Sequence, residues 1–206
     1  MAIFLKENIA LGSKLGIWKK EESLELLESV YILNNNEKKE YNLISNISRK
    51  KEWLTTRILL TELLQKKIEI NHNIYGSPFL INHNSNISIS HSKDFVAIII
   101  SSKHIAGIDV ETISERVYKV KRKFLTTNEL KWCKNLNQQT ACWCAKESVF
   151  KIYMKELDFF DIKISSFILD NKNGNFKAEV LKNNKSFIIK YKIIENNIIT
   201  YTFLKE

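Results

Sequence analysis

Apolar residues recur with two different periods along the chain, and each period predicts its own kind of element. Between residues 21 and 67 they recur every three to four positions, which is typical of amphipathic helices. We predict one helix at 21–33 and a longer one at 47–67, where Ser48 could cap the N-terminus. The polar run NNNEKK at 34–39 is expected to break the chain between the two helices.

From Ile87 the period changes to two, which predicts strands. ISIS is a short strand, and FVAIIIS at 95–101 has the continuous apolar character of a strand buried on both faces. The connection SKH would lead into a returning strand, IAGIDVE at 105–111, so that the two strands form a hairpin. The turn YGSPF at 75–79, which holds the only proline, precedes this region.

The rest of the chain repeats the order of helices followed by strands. Helices are predicted at about 114–123, 127–135 and 138–154. Three or four strands, from IKISSFIL to IITYTFL, should fill the tail at 162–206. This order predicts an α+β fold of two halves side by side, 1–102 and 103–206, packed as a single compact unit.

The composition fits a globular protein without a membrane span. The 206 residues are 44% hydrophobic and 11% aromatic, which is enough for a sizeable core. No run approaches the ~18 apolar residues that a spanning helix needs. The N-terminus MAIFLKENIALG is too short and too polar for a signal peptide. We therefore expect a cytoplasmic protein without a membrane partner.

Three cysteines lie close together in the sequence, at Cys133, Cys142 and Cys144. Their odd number and clustering argue against a disulfide framework. No His-x-x-His or Cys-x-x-Cys spacing accompanies them, so we expect buried thiols on a helix, with a zinc site as the alternative.

The chain is strongly basic, with 32 Lys and Arg against 23 Asp and Glu and a formal net charge of +9. A basic surface attracts polyanions such as nucleic acid, anionic lipid, phosphorylated cofactors or acidic proteins. Charge alone does not choose among these partners, so the motifs must decide.

Two acids interrupt the apolar strand at 105–111. Asp109 and Glu111 would share one strand face, about 6–7 Å apart, while Ile108 and Val110 point into the core. Two such carboxylates repel unless a hard cation such as Mg²⁺ neutralises them. Gly107 would let another backbone or a ligand come close. The alternative is a solvent-exposed hairpin edge with two ordinary acids.

A second motif, WCAKESVFKIYMK at 143–155, is predicted to be helical. Trp143, Glu147 and Lys151 then lie along one side, since they are spaced by four residues. The alternative is a Glu–Lys pair on a solvated helix face.

Together, ISISHS, GIDVE and WCAKESVFK resemble, in order and spacing, the signature of 4′-phosphopantetheinyl transferases. The resemblance covers about 75–168. Upstream, RKKEWLTTRILLTELL is similar to the N-terminal helix of the family, with Arg57 in the position of a coenzyme A-contacting arginine. The chain length resembles that of the surfactin-type class, in which two similar α/β halves, each a small antiparallel sheet packed on helices, form a pseudodimer around the active site.

The resemblance implies transfer of the 4′-phosphopantetheine arm of coenzyme A to a serine of an apo carrier protein, with release of adenosine 3′,5′-bisphosphate. It assigns Asp109, Glu111 and Glu147 to Mg²⁺. Glu147 would also be the general base for the serine hydroxyl, and Lys151 would reach the phosphates as a point charge.

The remaining assignments concern coenzyme A itself. Ser90 and His91 match the contacts of the family to the nucleotide phosphate, and Lys146 and Lys155 are secondary contacts. A nucleophilic Ser–His pair is a poor alternative here, because adjacent residues of a strand face opposite ways.

Carrier proteins of this family usually present an acidic helix, so a basic patch should dock it. The candidates are RKK at 49–51 and KVKRK at 119–123, each of which could also be a solvated helix face. A monomer is expected, since a pseudodimer completes its own site. The alternatives are a basic nucleic-acid-binding protein and a Mg²⁺-dependent phosphoesterase without a carrier.

Overall fold

The structure is a computed structural model that describes residues 3–154 and 156–204, and it has the predicted mixed α+β fold. The N-terminal elements are β1 (Ile3–Ala10), β2 (Ser13–Lys19), α1 (Leu24–Val30), α2 (Asn35–Asn42), α3 (Ile47–Leu64), β3 (Ile70–His72), β4 (Pro78–Leu80), β5 (Asn86–His91) and β6 (Phe95–Ser101).

The C-terminal elements follow the same order of helices and then strands. They are β7 (Ala106–Thr112), α4 (Glu115–Val120), α5 (Glu129–Trp132), α6 (Leu136–Tyr153), β8 (Ile162–Ile164), β9 (Asn173–Val180), β10 (Lys185–Ile194) and β11 (Asn197–Phe203), with short 3-10 turns at Lys121–Lys123 and Phe159–Asp161. The predicted helices at 47–67 and 138–154 correspond to α3 and α6.

Two antiparallel sheets form the centre of the molecule. The first has the strand order β1-β2-β6-β5, the second has the order β7-β11-β10-β9-β8, and β3 and β4 form a separate small hairpin. The first sheet uses strands from before residue 102 and the second uses strands from after it. The division into halves at 102–103 stays a prediction.

Each sheet packs one face on a long helix and the other face on the opposite sheet. Val96, Ile98 and Ile100 of β6 join the apolar cluster beneath α3. Phe95, Ala97 and Ile99 alternate with them and join a second cluster, shared with Ile108 and Val110 of β7. A third cluster lies between α6 and the second sheet. This explains why β6 is apolar throughout and buried on both faces, as predicted.

The predicted hairpin between 95–101 and 105–111 is wrong. β6 is a central strand that pairs with β2 on one side and β5 on the other, so it has no free edge for β7. β7 instead pairs with β11. The short connection after Ser101 therefore crosses from one sheet to the other and brings β7 under α6.

Local signals near the N-terminus also differ from the prediction. The polar run at 34–39 is not a break, because Asn34 and Glu37 form a capping box that starts α2. The cap of α3 is Asn46, whose side chain accepts a hydrogen bond from the backbone N–H of Arg49, and not Ser48. No element was predicted for the first 20 residues, where β1 and β2 lie.

The three cysteines are free and buried, as predicted. Cys142 and Cys144 lie on α6, and the sulfur of Cys133 is 3.7 Å from that of Cys142. None of the described helices combines the length and apolar character that crossing a bilayer requires.

Candidate active site

A glycine sets the distance between the two elements that carry the acidic motif. A Cβ atom added at Gly107 would lie 1.8 Å from the backbone oxygen of Ser148, so only glycine lets α6 rest on β7 here. The expectation that Gly107 admits a close backbone is thus confirmed. Because Ser148 follows Glu147 directly, this contact also sets the position of Glu147 over the strand.

Asp109 has two very different carboxylate oxygens. Lys151 donates to Oδ1 at 2.9 Å and to the Ile108 carbonyl at 2.8 Å, and the Ser90 hydroxyl donates to the same Oδ1 at 2.7 Å. Oδ2 is buried and makes no hydrogen bond of ordinary geometry within the described residues, although the Cys144 thiol lies close to this carboxylate. Asp109 is only 5% exposed, so the alternative of an ordinary acid on a solvated edge does not describe it.

The two glutamates of the motif are held close to Asp109. Trp143 donates its indole N–H to Glu111 at 3.1 Å. Burial, and then the charge of Asp109, raise the pKa of Glu111. Burial, and then the charge of Asp109, raise the pKa of Glu147 to about 7, while Lys151 opposes the shift. The predicted Glu147–Lys151 face is therefore part of an acidic cluster rather than an isolated surface pair.

No metal-binding geometry is preformed: among residues 3–154 and 156–204, no group of three or more His, Cys, Asp or Glu side chains is arranged to hold a metal ion. The donor chemistry nevertheless suits a hard cation, since Asp109 offers a buried, unpartnered oxygen beside two more carboxylates.

Arg57 and His91 line one cavity of about 470 Å³ on the face of the N-terminal half. The Arg57 guanidinium stacks on Trp53 at 3.2 Å from the ring centroid and donates to Glu40 at 3.2 Å. Burial lowers the pKa of Arg57 to about 10. His91 is exposed, and its Nδ1 lies 3.7 Å from Glu52.

A second cavity of about 320 Å³ lies between the N-terminal half and α6. Lys151, Phe150 and Ser77 contribute to its lining. Both cavities are bordered by Gly76, Pro78 and Ile89, so one groove runs from Arg57 and His91 to Lys151, which donates to Asp109.

Two predicted coenzyme A contacts are not brought to this groove, and a third cannot be placed. Lys146 is fully buried, and its ammonium donates to the Phe124 carbonyl at 2.8 Å, to Glu129 at 2.9 Å and to the Phe159 carbonyl at 3.1 Å. These three bonds use all of its protons, so the predicted contact of Lys146 with coenzyme A is corrected to a structural role. Ser90 is directed at Asp109, and Lys155 lies outside the described residues.

Three residues of the site region were missed. Glu52 lies between Lys20 and His91, Glu129 holds Lys146, and Ser88 bonds the backbone of β7. Only Ser88 could have been found from the sequence. It is two residues from Ser90 on one strand, so both share a strand face, just as Asp109 and Glu111 do.

An α+β fold with a lysine-linked carboxylate cluster next to a groove is an arrangement that suits a phosphate-handling enzyme. A family model described as the 4′-phosphopantetheinyl transferase superfamily matches residues 105–202, which include Asp109, Glu111, Glu147 and Lys151. The chain is also 34% identical over 170 residues to "4′-phosphopantetheinyl transferase gsp" of Aneurinibacillus migulanus, with 69% of each chain covered.

The chain therefore belongs to the 4′-phosphopantetheinyl transferase superfamily, and it is an enzyme of that transferase class. The resemblance seen in the three motifs is confirmed.

Proposed function

We propose that this enzyme transfers the 4′-phosphopantetheine arm of coenzyme A to a serine of an apo carrier protein, and that adenosine 3′,5′-bisphosphate leaves. The serine oxygen would form the new bond to the β-phosphorus, and the bond from that phosphorus to the bridging oxygen would break. The observation that carries the proposal is that Lys151, which lines one end of the groove, donates to Asp109, whose charge in turn raises the pKa of Glu147.

Binding of coenzyme A is assigned to the groove. His91 is exposed at the first cavity and could donate to a phosphate. Arg57 lines the same cavity and is ion-paired with Glu40 at 3.2 Å, so a phosphate there would compete with that carboxylate for the guanidinium. Lys151 would face the pyrophosphate at the other end. The role of Lys155 stays a prediction.

Mg²⁺ is assigned to Asp109 through Oδ2, to Glu111 and to Glu147. The fit rests on the unpartnered Oδ2 and on the mutual repulsion of the three carboxylates, which a divalent cation would relieve. When bound, Mg²⁺ would offset the negative charge of the pyrophosphate.

Glu147 is assigned the role of general base for the serine hydroxyl. Without a cation, burial and the neighbouring Asp109 raise its pKa to about 7, and bound Mg²⁺ would lower that pKa again, so the role falls to a Glu147 oxygen that does not ligate the cation. An ordinary exposed glutamate would be a far weaker base. The proton of the serine would move to a Glu147 oxygen as the new phosphate ester forms.

The carrier is assigned to the KVKRK patch at 119–123. Lys123 lines a cavity of about 260 Å³ together with Glu111 and Trp143, so this patch adjoins the acidic cluster. In the RKK run, Arg49 lines the cavity of Arg57 and His91. That position favours a role towards coenzyme A rather than towards the carrier. A cytoplasmic, monomeric state also stays a prediction.

Chromatographic detection of adenosine 3′,5′-bisphosphate tests the proposal. The enzyme is incubated with coenzyme A and Mg²⁺, with and without apo carriers of several pathways. We expect carrier-dependent release that Asp109→Asn and Glu147→Gln lower by about 100-fold or more. Asp170→Asn, at an exposed acid, is the matched control.

Two results would contradict the proposal. Equal release without any carrier, together with free pantetheine phosphate, would identify a phosphoesterase. No release with any carrier, together with retention on heparin that survives Asp109→Asn, would favour a nucleic-acid-binding protein.

A further inference from the structure

Two edge strands from different sheets meet beside the acidic cluster. β5 is the last strand of the first sheet and β7 the first strand of the second. The Ser88 hydroxyl accepts a hydrogen bond from the Ile108 N–H at 3.2 Å, and the Ser90 hydroxyl accepts one from the Val110 N–H at 3.2 Å. Two serine side chains thus take the place of a backbone ladder between these strands and satisfy amides that would otherwise be buried without partners.

The two serines differ in where their proton goes. Ser90 donates to Asp109 Oδ1 at 2.7 Å, and it is buried at 7% exposure. A hydroxyl has one proton, so a Ser90 that bonds Asp109 has none left for a phosphate. Within the described part of the chain, the Ser88 hydroxyl makes only its bond to the Ile108 amide.

The carboxylate of Asp109 is therefore held in place by hydrogen bonds to only one of its two oxygens. Ser90 and Lys151 both donate to Oδ1 and leave Oδ2 without a partner. The Val110 amide holds the Ser90 oxygen, so the hydroxyl proton can point only away from that amide and towards Asp109. Partners of this kind orient ligating carboxylates and are typically worth 10–100-fold in metal affinity.

We propose that Ser90 is a positioning residue that orients Asp109 for a divalent cation, and that it does not contact coenzyme A. This inference rests on the proposed function, since it needs a cation at Asp109. It replaces the prediction that Ser90 binds the nucleotide phosphate, whereas His91 keeps that role.

Three alanine variants separate the possible roles, each measured as the purified full-length protein. Ser90→Ala removes the bond to Asp109 and the bond to the β7 amide. Ser88→Ala removes only an equivalent amide bond, and His91→Ala removes the exposed imidazole. Mn²⁺ affinity is measured by electron paramagnetic resonance with and without coenzyme A, and KM for coenzyme A at saturating Mg²⁺.

We expect Ser90→Ala to weaken Mn²⁺ binding by about 10-fold or more. The Mg²⁺ concentration that gives half of the maximal rate should rise by the same factor. KM for coenzyme A should stay within twofold of the wild-type value. Ser88→Ala should leave Mn²⁺ affinity unchanged even where it lowers thermal stability. His91→Ala should raise KM for coenzyme A alone. Ser90→Thr keeps the hydroxyl and should retain most of the Mn²⁺ affinity.

The inference fails if Ser90→Ala raises KM for coenzyme A while Mn²⁺ affinity is kept, or if Ser88→Ala and Ser90→Ala weaken Mn²⁺ equally. Asp109→Ala distinguishes the failure of the underlying function. If this variant binds Mn²⁺ as well as the wild type, or if the wild type binds none, the cation role of Asp109 itself is wrong.

Discussion

Lys146 and Glu147 are sequence neighbours with opposite environments, because they lie on different sides of α6. Glu147 is directed to the acidic cluster, whereas Lys146 is directed into the core beneath the helix. There it forms a buried ion pair with Glu129 at 2.9 Å. Glu129 also accepts hydrogen bonds from the backbone N–H groups of Thr126 and Ile164, so the pair ties α5 and β8 to α6.

Removal of either Lys146 or Glu129 from this ion pair should lower the stability of the protein. Lys146→Met leaves Glu129 buried without its cation, and we expect a loss of about 3–5 kcal/mol in the free energy of unfolding. Urea denaturation measures it. Lys172→Met, at an exposed position, should change stability by less than about 0.5 kcal/mol. A Lys146→Met protein as stable as that control would contradict the structural role.

At this scale the sequence predicted which acids cluster with Lys151, but it did not predict the partners of Lys146 and Ser90. The spacing of Asp109 and Glu111, and of Glu147 and Lys151, follows from strand and helix periods alone. The acceptors of the Lys146 ammonium come from other elements, and Ser90 reaches Asp109 across two sheets. The spacing of residues within a single helix or strand cannot reveal contacts between side chains of different elements.

At the scale of elements, the contact of α6 with β7 decides whether the site forms. Gly107→Ala would force its Cβ into the backbone of α6 at Ser148, and a helix backbone cannot move aside as a side chain can. We expect a loss of about 1–3 kcal/mol in stability, with a fall in kcat beyond what unfolding explains. The reason is that Glu147 and Lys151 shift away from Asp109.

Gly16→Ala is the matched control, because α3 rests on β2 at this glycine. Its added Cβ would meet only the side-chain ends of Leu59 and Leu63, at 2.9 Å. This variant should lose less stability and keep the kcat of its folded fraction. Equal kcat in the two alanine variants would show that the α6–β7 contact does not position the catalytic groups.

A clear repeat of apolar residues predicted the long helices and strands, whereas a short element such as α2 depends on its capping residues. α3, α6 and β9–β11 follow from apolar periodicity. α2 has almost no apolar face, so only its Asn34–Glu37 capping box could reveal it. The partner of β7 depends on which strand edges are already occupied, which no single segment encodes.

For the whole molecule, the two basic runs RKK at 49–51 and KVKRK at 119–123 have different expected partners. Lys119→Glu combined with Arg122→Glu should raise KM for the carrier and leave KM for coenzyme A unchanged, because both side chains are exposed on the run whose Lys123 lines a cavity with Glu111. Arg49→Glu should do the reverse, since Arg49 lines the cavity assigned to coenzyme A. Steady-state kinetics at two salt concentrations measures both effects, and added salt should weaken carrier binding. If the double variant raised both KM values equally, the docking assignment would be wrong.

The most direct test of the whole account is the intact mass of an apo carrier protein after incubation with this enzyme, coenzyme A and Mg²⁺. The account predicts a mass gain of one phosphopantetheine arm on the carrier serine, which is lost with Asp109→Ala or Glu147→Ala and kept with Asp170→Asn. An unchanged mass for apo carriers of fatty-acid, polyketide and peptide-synthetase pathways, under conditions in which the enzyme is folded, would contradict it.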